Sequence, residues 1–404
     1  MERAVIAAME PLHIPVGDTD LDDISFDLVQ KAAHLSGNLR PEIQAELGRL
    51  VRSMNCYYSN FIEGHYTHPR DIERALHRHE FSTDFGQRNL QKEALAHITL
   101  QEKIDSGSDE QSWPASERYV RWLHREFCER LPRELRVVKS RVTGRELEVI
   151  PGDYRKERVD VGHHVAPDPD QVPAFMGRFG EAYAHEHLSK TQLLLSAAEA
   201  HHRLLWIHPF LDGNGRVVRL MSHAILLRLG VGSSLWSLSR GLARNVGRYK
   251  DLLGAADAPR RNALDGRGAL SLEAFKAFCR FFFEVCIDQV EFMRSLLQPA
   301  EILRRMELYV TDEVAARRLP RGSFEMLREA FYQGAVPRGR APEITGYEER
   351  RARETVSVLL ERGLLRSAGP RAPLSLAFPE QVLERWLPSL YPVDAPPLEG
   401  RALQ

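Results

Sequence analysis

The sequence predicts a mainly helical protein that contains one small β-hairpin and ends in a unit of mixed helices and strands. Apolar residues recur at helical spacing through most of the chain, most clearly from Pro41 to Gly64. Residues 136–165 instead alternate apolar and polar side chains, and Pro151-Gly152 supplies a turn, so a hairpin is expected there. After Pro299, helical patterns are followed by a Gly-Leu-Leu turn and a strand pattern.

Composition and charge exclude several classes of protein. A chain of 404 residues is long enough for two or three domains, and its net charge of −1 gives no general attraction to nucleic acid or to an anionic membrane. No apolar run approaches the ~20 residues that span a bilayer. The start of the chain is too short and too soon polar for a signal peptide. The four cysteines lack paired metal spacing, so we expect reduced, mostly buried thiols in a cytoplasmic protein without a membrane partner.

The N-terminal part of the chain is predicted to be a series of helices. They lie near Phe26–Leu35, Pro41–Gly64, Asp71–Arg78 and Asn89–Ile104. Pro41 suits the first turn of the second helix, and Gly64 ends it. Ser59 and Glu63 share one face of this helix because they are one turn apart. By themselves, two polar residues at this spacing are typical of a helix face in solvent.

The middle part of the chain is predicted to be helical on both sides of the hairpin. The expected helices are Ser116–Leu131, Val172–His187, Ser189–His208, Leu220–Leu229 and Leu272–Leu297. Two pairs of adjacent histidines, His163-His164 and His201-His202, also occur here. Successive residues on a strand point to opposite faces, and no cysteine or carboxylate set completes a zinc site, so we interpret both pairs as non-metal.

The stretch from His208 to Arg219 separates two apolar helical patterns and forms a loop. Pro209 and two glycines mark the break. A Gly-Asn-Gly turn at a helix start leaves backbone N–H groups free and lets a ligand approach closely. The N-terminus of the following helix carries positive partial charge. These features predict a phosphate-binding loop.

Four side chains of this loop have complementary chemistry. Arg216 and Arg219 are three residues apart, so they share one helix face and can reach successive phosphates. Asp212 is a hard oxygen ligand beside the phosphates, where Mg²⁺ would bind. His208 can act as a base near neutral pH. Together these residues indicate nucleotidyl or phosphoryl transfer, whereas a bare Gly-Asn-Gly would indicate only a capped helix connection.

The loop resembles the signature of the Fic (filamentation induced by cAMP) family, His-x-Phe-x-Asp/Glu-Gly-Asn-Gly-Arg-x-x-Arg, and every fixed position is filled. The resemblance implies an all-α Fic fold and an enzyme that transfers AMP from ATP to a Ser, Thr or Tyr hydroxyl of a protein. It implies that His208 deprotonates the hydroxyl and that Asp212 holds Mg²⁺. It assigns the phosphates to the rest of the loop, namely Gly213, Asn214, Gly215, Arg216 and, for the γ-phosphate, Arg219.

The segment Ser59-x-x-x-Glu63-Gly64 resembles the inhibitory-helix motif of Fic proteins that carry this helix N-terminal to the catalytic core. The resemblance implies a salt bridge between Glu63 and Arg219 that occupies the γ-phosphate site, with Ser59 helping to hold it. A carboxylate paired with a guanidinium excludes a phosphate that needs the same guanidinium.

Residues of about 145–164 resemble the flap of the family, whose backbone pairs with the target segment by strand addition and sets the hydroxyl in line with the α-phosphate. By this resemblance the nucleotide is bordered by Val161, Gly162, His163 and His164. Further along, Arg248-Tyr249 is similar to the stretch that lines the nucleobase side of the family's site. Tyr249 is expected either to stack on adenine or to be a packing tyrosine.

These observations predict three domains. Residues 1–110 form an N-terminal helical region with the inhibitory helix at about 41–64, residues 111–298 form the Fic domain with its flap, and residues 299–404 form a winged-helix-like domain. Arginines of this last domain are balanced by glutamates, so a docking or structural role is favoured over DNA binding. The resemblance also makes a homodimer plausible.

Three other functions are open at this point. The same site would remove AMP from a modified protein if Glu63 positioned a water molecule. Phosphoryl transfer, as in the Doc relatives, is disfavoured because those proteins have Lys in place of the second glycine, Gly215 here. A transcriptional regulator that works through a winged helix would need a clearly basic recognition face, which the balanced charge does not provide.

Overall fold

Helices make up most of the fold, and the computed structural model describes residues 6–37, 39–139, 144–161, 164–232 and 234–391. The described helices are α1 (Thr19–Gly37), α2 (Pro41–Ile62), α3 (Pro69–Arg78), α4 (Phe85–Asp105), α5 (Glu117–Glu129), α6 (Val172–Ala182), α7 (Lys190–Ile207), α8 (Asn214–Arg228), α9 (Leu238–Arg244), α10 (Val246–Ala256), α11 (Leu272–Leu296), α12 (Pro299–Ala315), α13 (Ser323–Gln333), α14 (Ala341–Thr345), α15 (Glu349–Glu361) and α16 (Glu380–Trp386). Within these residues, no helix is both long and apolar enough to cross a membrane.

The strands are short and form three small antiparallel sheets in the described part of the chain. They are β1 (Val137–Lys139), β2 (Glu146–Glu148), β3 (Asp160–Val161), β4 (His164–Val165), β5 (Ala335–Val336), β6 (Leu365–Arg366) and β7 (Leu374–Leu376). β1 pairs with β2, β3 pairs with β4, and the C-terminal sheet has the order β5-β7-β6. The predicted mainly helical fold with a small amount of β-structure is confirmed.

Local sequence signals account for the ends of the helices that carry the site. Pro41, whose fixed φ suits a first helical turn, begins α2, and Gly64 follows its last residues with a φ of 81°. Ser189 and Gln192 form a reciprocal capping box at the start of α7. Gly213, with a φ of 83°, precedes α8, so the chain turns sharply between α7 and α8.

The core is centred on α11 and on the α7–α8 pair. α11 packs against α1, α7, α9 and α10, and α7 packs against α8. Phe278, Phe281, Phe282 and Phe283 of α11 are all fully buried. Burial of each such side chain contributes roughly 1.5–3 kcal/mol to folding. The loop between α7 and α8 is therefore held between two helices that are anchored in the core.

Helix α2 lies between the catalytic helices and the C-terminal unit. It packs against α4, α8 and α9 on one side and also contacts β7. The hydroxyl of Tyr58 donates to the Leu390 carbonyl at 3.3 Å, and Arg366 lies 3.6 Å from Glu46. The C-terminal unit is thus in direct contact with the helix that carries Ser59 and Glu63.

The structure corrects several expected element boundaries. Residues 136–165 form two strand pairs rather than one hairpin. The sequence pattern indicated no strand at residues 335–336, but the structure contains β5 there, because buried Val336 pairs with Leu374 of β7. Two residues are too few to show a periodic pattern. The helix expected over Val172–His187 ends at Ala182 and is followed by a short 3-10 turn.

The C-terminal unit combines helices α12 to α16 with the three-stranded sheet. β7 lies in the middle of the sheet, with β5 and β6 at its two edges. The domain boundaries at residues 110 and 298 and the winged-helix interpretation of this unit stay predictions. Residues 392–404 lie outside the described part of the chain.

Candidate active site

The loop between α7 and α8 is braced by one asparagine and one phenylalanine. Asn214 accepts a hydrogen bond from the Phe210 backbone N–H at 3.0 Å and donates to the Phe210 carbonyl at 2.8 Å. Phe210 is fully buried and stacks on the ring of His124 with a centroid distance of 3.8 Å. The Asn214 side chain therefore braces the loop, and its expected contact with phosphate stays a prediction.

His208 ends α7 in a left-handed conformation, with φ 48° and ψ 61°. Burial, together with the positive charge of Arg155, lowers the pKa of His208 to about 4. The ring is therefore neutral at physiological pH and able to accept a proton. Its Nδ1 lies 3.4 Å from the Leu205 carbonyl. A proton on Nδ1 in this contact leaves Nε2 as the basic nitrogen.

Arg219 is held by two residues of α2. Its Nε donates to Ser59 Oγ at 2.9 Å, and its Nη2 donates to the Ser59 carbonyl at 3.0 Å and to Glu63 Oε1 at 2.6 Å. The Arg219 side chain is 2% exposed and that of Glu63 is 30% exposed. Burial raises the pKa of Glu63, but the positive charges of Arg219 and Arg216 outweigh this effect and hold it below its usual value.

The Glu63 carboxylate also lies directly over the first turn of α8. A Cβ atom added to Gly215 would overlap this carboxylate. Glycine at position 215 therefore allows an anionic group to reach the backbone at the helix N-terminus, where positive partial charge is concentrated. In this structure that group comes from the protein itself.

Arg216 belongs to a second cluster that the sequence did not indicate. It forms an ion pair with fully buried Glu93 of α4 and donates to Asp212 Oδ1 at 3.2 Å. Glu93 also contacts His65 Nδ1 at 2.7 Å. Burial favours the neutral form of Glu93, but Arg216 and His65 hold its pKa below the usual value. The cluster fixes Arg216 beside Asp212 on the loop.

The only sequence signal for this cluster was a carboxylate on an apolar helix face. Glu93 is followed at helical spacing by Leu100 and Ile104, which are buried. A buried carboxylate requires a cationic partner, but the sequence does not say which one.

Arg155 and His164 place the described part of the flap at the end of α7. Val161 of β3 pairs with His164 of β4, whereas Gly162 and His163 lie outside the described residues. The His164 ring bonds the Trp206 carbonyl through Nε2 at 2.7 Å. Arg155, for which no role was predicted, bonds the backbone around His208. The roles of the flap residues in nucleotide binding stay predictions.

Tyr249 is 2% exposed and packs inside the domain. Its hydroxyl lies 2.7 Å from His201 Nε2, and the other ring nitrogen of His201 lies 2.8 Å from Ser222 Oγ. His202 contacts Asp257 at 3.3 Å. In this arrangement Tyr249 offers no open ring face, so adenine stacking would require the ring to become accessible. That role stays a prediction.

The donor set fits a magnesium ion that is bound together with a nucleotide. The Asp212 side chain is 42% exposed, and one of its oxygens already accepts from Arg216. Within the described residues no group of three or more His, Cys, Asp or Glu side chains converges on one point. Mg²⁺ is usually held by one or two carboxylates with phosphate oxygens and water. A single carboxylate beside an anion loop meets this requirement.

Residues 114–226 match the Fic/DOC family. A stretch of 90 residues is 40% identical to the protein adenylyltransferase Fic of Drosophila erecta and covers 22% of this chain and 18% of that protein. The protein of the same name from Drosophila persimilis is 41% identical over the same length. The chain thus matches less than a fifth of the length of these relatives.

Two solved structures share the fold over longer spans. A Fic family protein from Desulfovibrio desulfuricans aligns with a TM-score of 0.50 and 17% identity over 88% of this chain and 96% of that one. A Fic domain containing signaling protein from Bacteroides thetaiotaomicron aligns with a TM-score of 0.50 and 22% identity over 67% of this chain and 95% of that one. At residues 114–226 the chain therefore contains a Fic domain that is distantly related to the protein adenylyltransferases called Fic.

Proposed function

We propose that this protein transfers AMP from ATP to a hydroxyl side chain of a target protein and that Glu63 holds this activity off. The observation that best supports the proposal is the Glu63 carboxylate bonded to Arg219 over Gly215. A loop that accommodates a carboxylate in this way has the charge and the backbone clearance that a phosphate needs.

His208 is the general base in this proposal. The Nε2 of the neutral imidazole accepts the proton of the target hydroxyl as its oxygen attacks the α-phosphorus. The bond from this oxygen to phosphorus forms while the bond from the α-phosphorus to the bridging oxygen breaks, and pyrophosphate leaves. The lowered pKa of His208 keeps the base unprotonated at neutral pH, although it also makes the nitrogen a weaker proton acceptor.

The rest of the loop binds and orients ATP. Asp212 would hold Mg²⁺, which neutralises phosphate charge when it is bound. Arg216, fixed by Glu93, faces the phosphates, and Arg219 binds the γ-phosphate once Glu63 has left it. Cations that are already in place need no rearrangement as negative charge develops, and this electrostatic contribution is usually the largest in such reactions.

Glu63 would inhibit by competing for Arg219. Arg219 is almost fully buried and donates hydrogen bonds to Ser59 and Glu63, so a γ-phosphate has to compete with the Glu63 carboxylate for this guanidinium. The electrostatics supports this competition, because the positive charges of Arg219 and Arg216 keep the Glu63 carboxylate ionised at neutral pH.

A hydroxyl-bearing protein segment is the proposed partner, aligned by strand addition along the flap of residues 145–164. Residues 1–110, 111–298 and 299–404 are proposed to be the regulatory, catalytic and docking parts. The helix α2 would then receive signals from the C-terminal unit, which contacts it through Tyr58 and Glu46. A homodimer remains part of this proposal, whereas DNA binding is not favoured.

The test uses ATP labelled either at the α- or at the γ-phosphate, offered to the wild-type chain and to Glu63→Gly. A cell extract supplies acceptor hydroxyls, and Glu42→Gln provides a control on the exposed start of the same helix. We expect α-label on protein with Glu63→Gly, and little with the wild type or the control. Label from the γ-phosphate alone would contradict AMP transfer and indicate phosphoryl transfer.

The reverse reaction can be separated with the same proteins. A folded Glu63→Gly chain that transfers neither label would contradict the proposed direction. Release of AMP from labelled protein by the wild type, and not by Glu63→Gly, would then assign Glu63 to positioning the attacking water.

A further inference from the structure

The flap is bonded to the backbone that carries the proposed base. Arg155 lies on the N-terminal side of the flap strands β3 and β4 and is 4% exposed. Its Nε donates to the His208 carbonyl at 2.7 Å, and its Nη2 lies 3.4 Å from the Ile207 carbonyl. Its backbone N–H donates to the Pro209 carbonyl at 2.9 Å. One residue thus bonds three consecutive carbonyl groups around His208.

The same guanidinium also bonds both ends of the flap. Nη1 of Arg155 donates to the Glu157 carbonyl at 3.0 Å, and Nη2 donates to the Pro167 carbonyl at 2.6 Å. Glu157 precedes β3 and Pro167 follows β4, so these bonds close the base of the flap. Arg155 therefore joins the flap and the His208 loop through one rigid planar group.

Arg155 is an unusual residue to bury for stability alone. Among the described residues it forms no salt bridge, and its side chain donates only to backbone carbonyls. Burial lowers the pKa of Arg155 to about 10, which reflects the free-energy cost of its charge in this place. Removing a cation from water is costly, and here the hydrogen bonds that offset this cost all go to backbone carbonyls of the flap and of the His208 loop.

His164 provides a second bond between the flap and α7. Its Nε2 contacts the Trp206 carbonyl at 2.7 Å, one residue before the first carbonyl that Arg155 reaches. The C-terminal carbonyl groups of a helix lack intrahelical donors, and here donors from the flap approach them. The end of α7 and both sides of the flap are therefore linked as one unit.

We infer that Arg155 is a positioning residue that keeps the flap in register with the His208 imidazole. The inference rests on the proposed AMP transfer and extends it to the question of how a target hydroxyl meets its base. A segment that pairs with the flap is placed relative to residues 155–167, and Arg155 bonds those residues to the His208 peptide. Target and base are then aligned by the same guanidinium.

The backbone of His208 explains why such support is needed. The φ of His208 is 48°, a left-handed conformation that is unfavourable for a non-glycine residue, so the loop would relax if its carbonyls were released. A displacement of about 1 Å between reacting groups can lower a rate by about 10²-fold. Arg155 does not touch the reacting atoms in this proposal and acts through the geometry of His208.

The kinetic test is made in a Glu63→Gly background, where transfer is expected to be measurable. We expect Arg155→Gln to lower kcat by about 10²-fold with little change in the KM for ATP, because phosphate binding does not involve Arg155. Arg155→Lys keeps the charge but loses the planar fork, so its kcat should stay close to that of Arg155→Gln. Arg118→Gln is the matched control, because Arg118 lies outside the flap and the His208 loop, is 77% exposed and pairs with Glu110.

A second readout does not depend on transfer activity. The His208 imidazole is titrated by NMR in the full chain, with and without the Arg155 substitutions. Removal of the nearby positive charge in Arg155→Gln is expected to raise the pKa of His208, whereas Arg118→Gln should leave it unchanged. This result is obtained even if the chain does not transfer AMP, so a failure of the proposed function is distinguishable from a failure of the inference.

Two outcomes would overturn the positioning role. One is a kcat in Arg155→Gln that equals the background value, whether or not the His208 titration changes. The other is a kcat in Arg155→Lys that equals the background value, because any cation would then suffice and the fork would not set the geometry. If Arg155→Gln fails to fold, the kcat of Arg155→Lys is the deciding measurement. A lowered kcat supports the positioning role, and a kcat equal to the background value refutes it.

Discussion

Replacement of Glu63 by glutamine is expected to weaken the fold and to strengthen ATP binding at the same time. The substitution keeps the shape of the side chain and removes its charge. A salt bridge with a purely structural role predicts the first effect only. An inhibitory salt bridge predicts both, because the guanidinium that loses its carboxylate becomes available to a phosphate.

The contacts of Arg219 set the size of both effects. A hydrogen bond to a charged group contributes about 1.5–3 kcal/mol. Arg219 keeps two bonds to Ser59 after the substitution, and Glu63 is 30% exposed, so we expect a loss of about 2 kcal/mol in the free energy of unfolding. A new bond of the same class to a phosphate corresponds to ATP binding that is tighter by about 10- to 150-fold.

The assay combines urea unfolding with calorimetric titration of Mg·ATP into the wild type, Glu63→Gln and the control Glu42→Gln. Without nucleotide, Glu63→Gln should be the least stable chain. At an ATP concentration about 100-fold above the Kd of Glu63→Gln, binding adds about 2.7 kcal/mol to the stability of this variant and less to that of the wild type, so ATP should narrow or close the stability difference between the two chains. The control should behave like the wild type in both conditions.

An unchanged ATP affinity in Glu63→Gln, with the expected loss of stability, would refute this account. The salt bridge would then hold α2 on the domain without occupying a phosphate site. Glu63→Gly separates the effect of the charge from that of the side-chain volume, because it also clears the space over Gly215. This variant should bind ATP at least as tightly as Glu63→Gln.

Three further predictions follow from other contacts. Gly215→Ala should lower the free energy of unfolding of the wild type, because the added Cβ forces the Glu63 carboxylate away. In a Glu63→Gly background this loss should largely vanish, and a double-mutant cycle of unfolding free energies would detect the difference as coupling. Glu93→Gln should destabilise the protein by about 3–5 kcal/mol and weaken ATP binding, because it leaves Arg216 buried without its main partner; equal ATP affinity would show that Glu93 does not orient Arg216 for the nucleotide. The free energy of unfolding should fall as the pH is lowered from about 6.5 to about 4. The slope should be about 1.4 kcal/mol per pH unit for each histidine that binds a proton only in the unfolded chain. A urea midpoint that stays constant over this pH range would contradict the prediction. The histidines with a pKa lowered to about 3 or about 4 are His97, His124, His201 and His208.

The sequence predicted those parts of the site that are local in the chain. The loop from His208 to Arg219 was predictable because its base, metal ligand, glycines and arginines follow one another within one turn and one helix start. Ser59 and Glu63 were identifiable because they share one helix face. Their contact with Arg219 was expected only from the family resemblance, since the sequence does not state which helices meet.

Contacts to backbone atoms and between distant helices were not predictable. Arg155 stood in the segment that resembles the flap, but backbone carbonyls have no sequence signature, and its bonds around His208 could not be foreseen. The pairing of Glu93 with Arg216 joins two helices far apart in the chain. Strand β5 was missed because two residues carry no periodic signal, and only its pairing with β7 makes it a strand.

The most direct test of the account is transfer of α-labelled phosphate to protein by Glu63→Gly, compared with the double variant Glu63→Gly/His208→Ala. Both chains should bind ATP alike, since His208 contributes the base and not the phosphate site. The account predicts label on protein with Glu63→Gly and its loss in the double variant, with the fold and the ATP affinity unchanged. Equal labelling by the two chains would contradict the assignment of His208 as the base, and no label from either would contradict AMP transfer at this site.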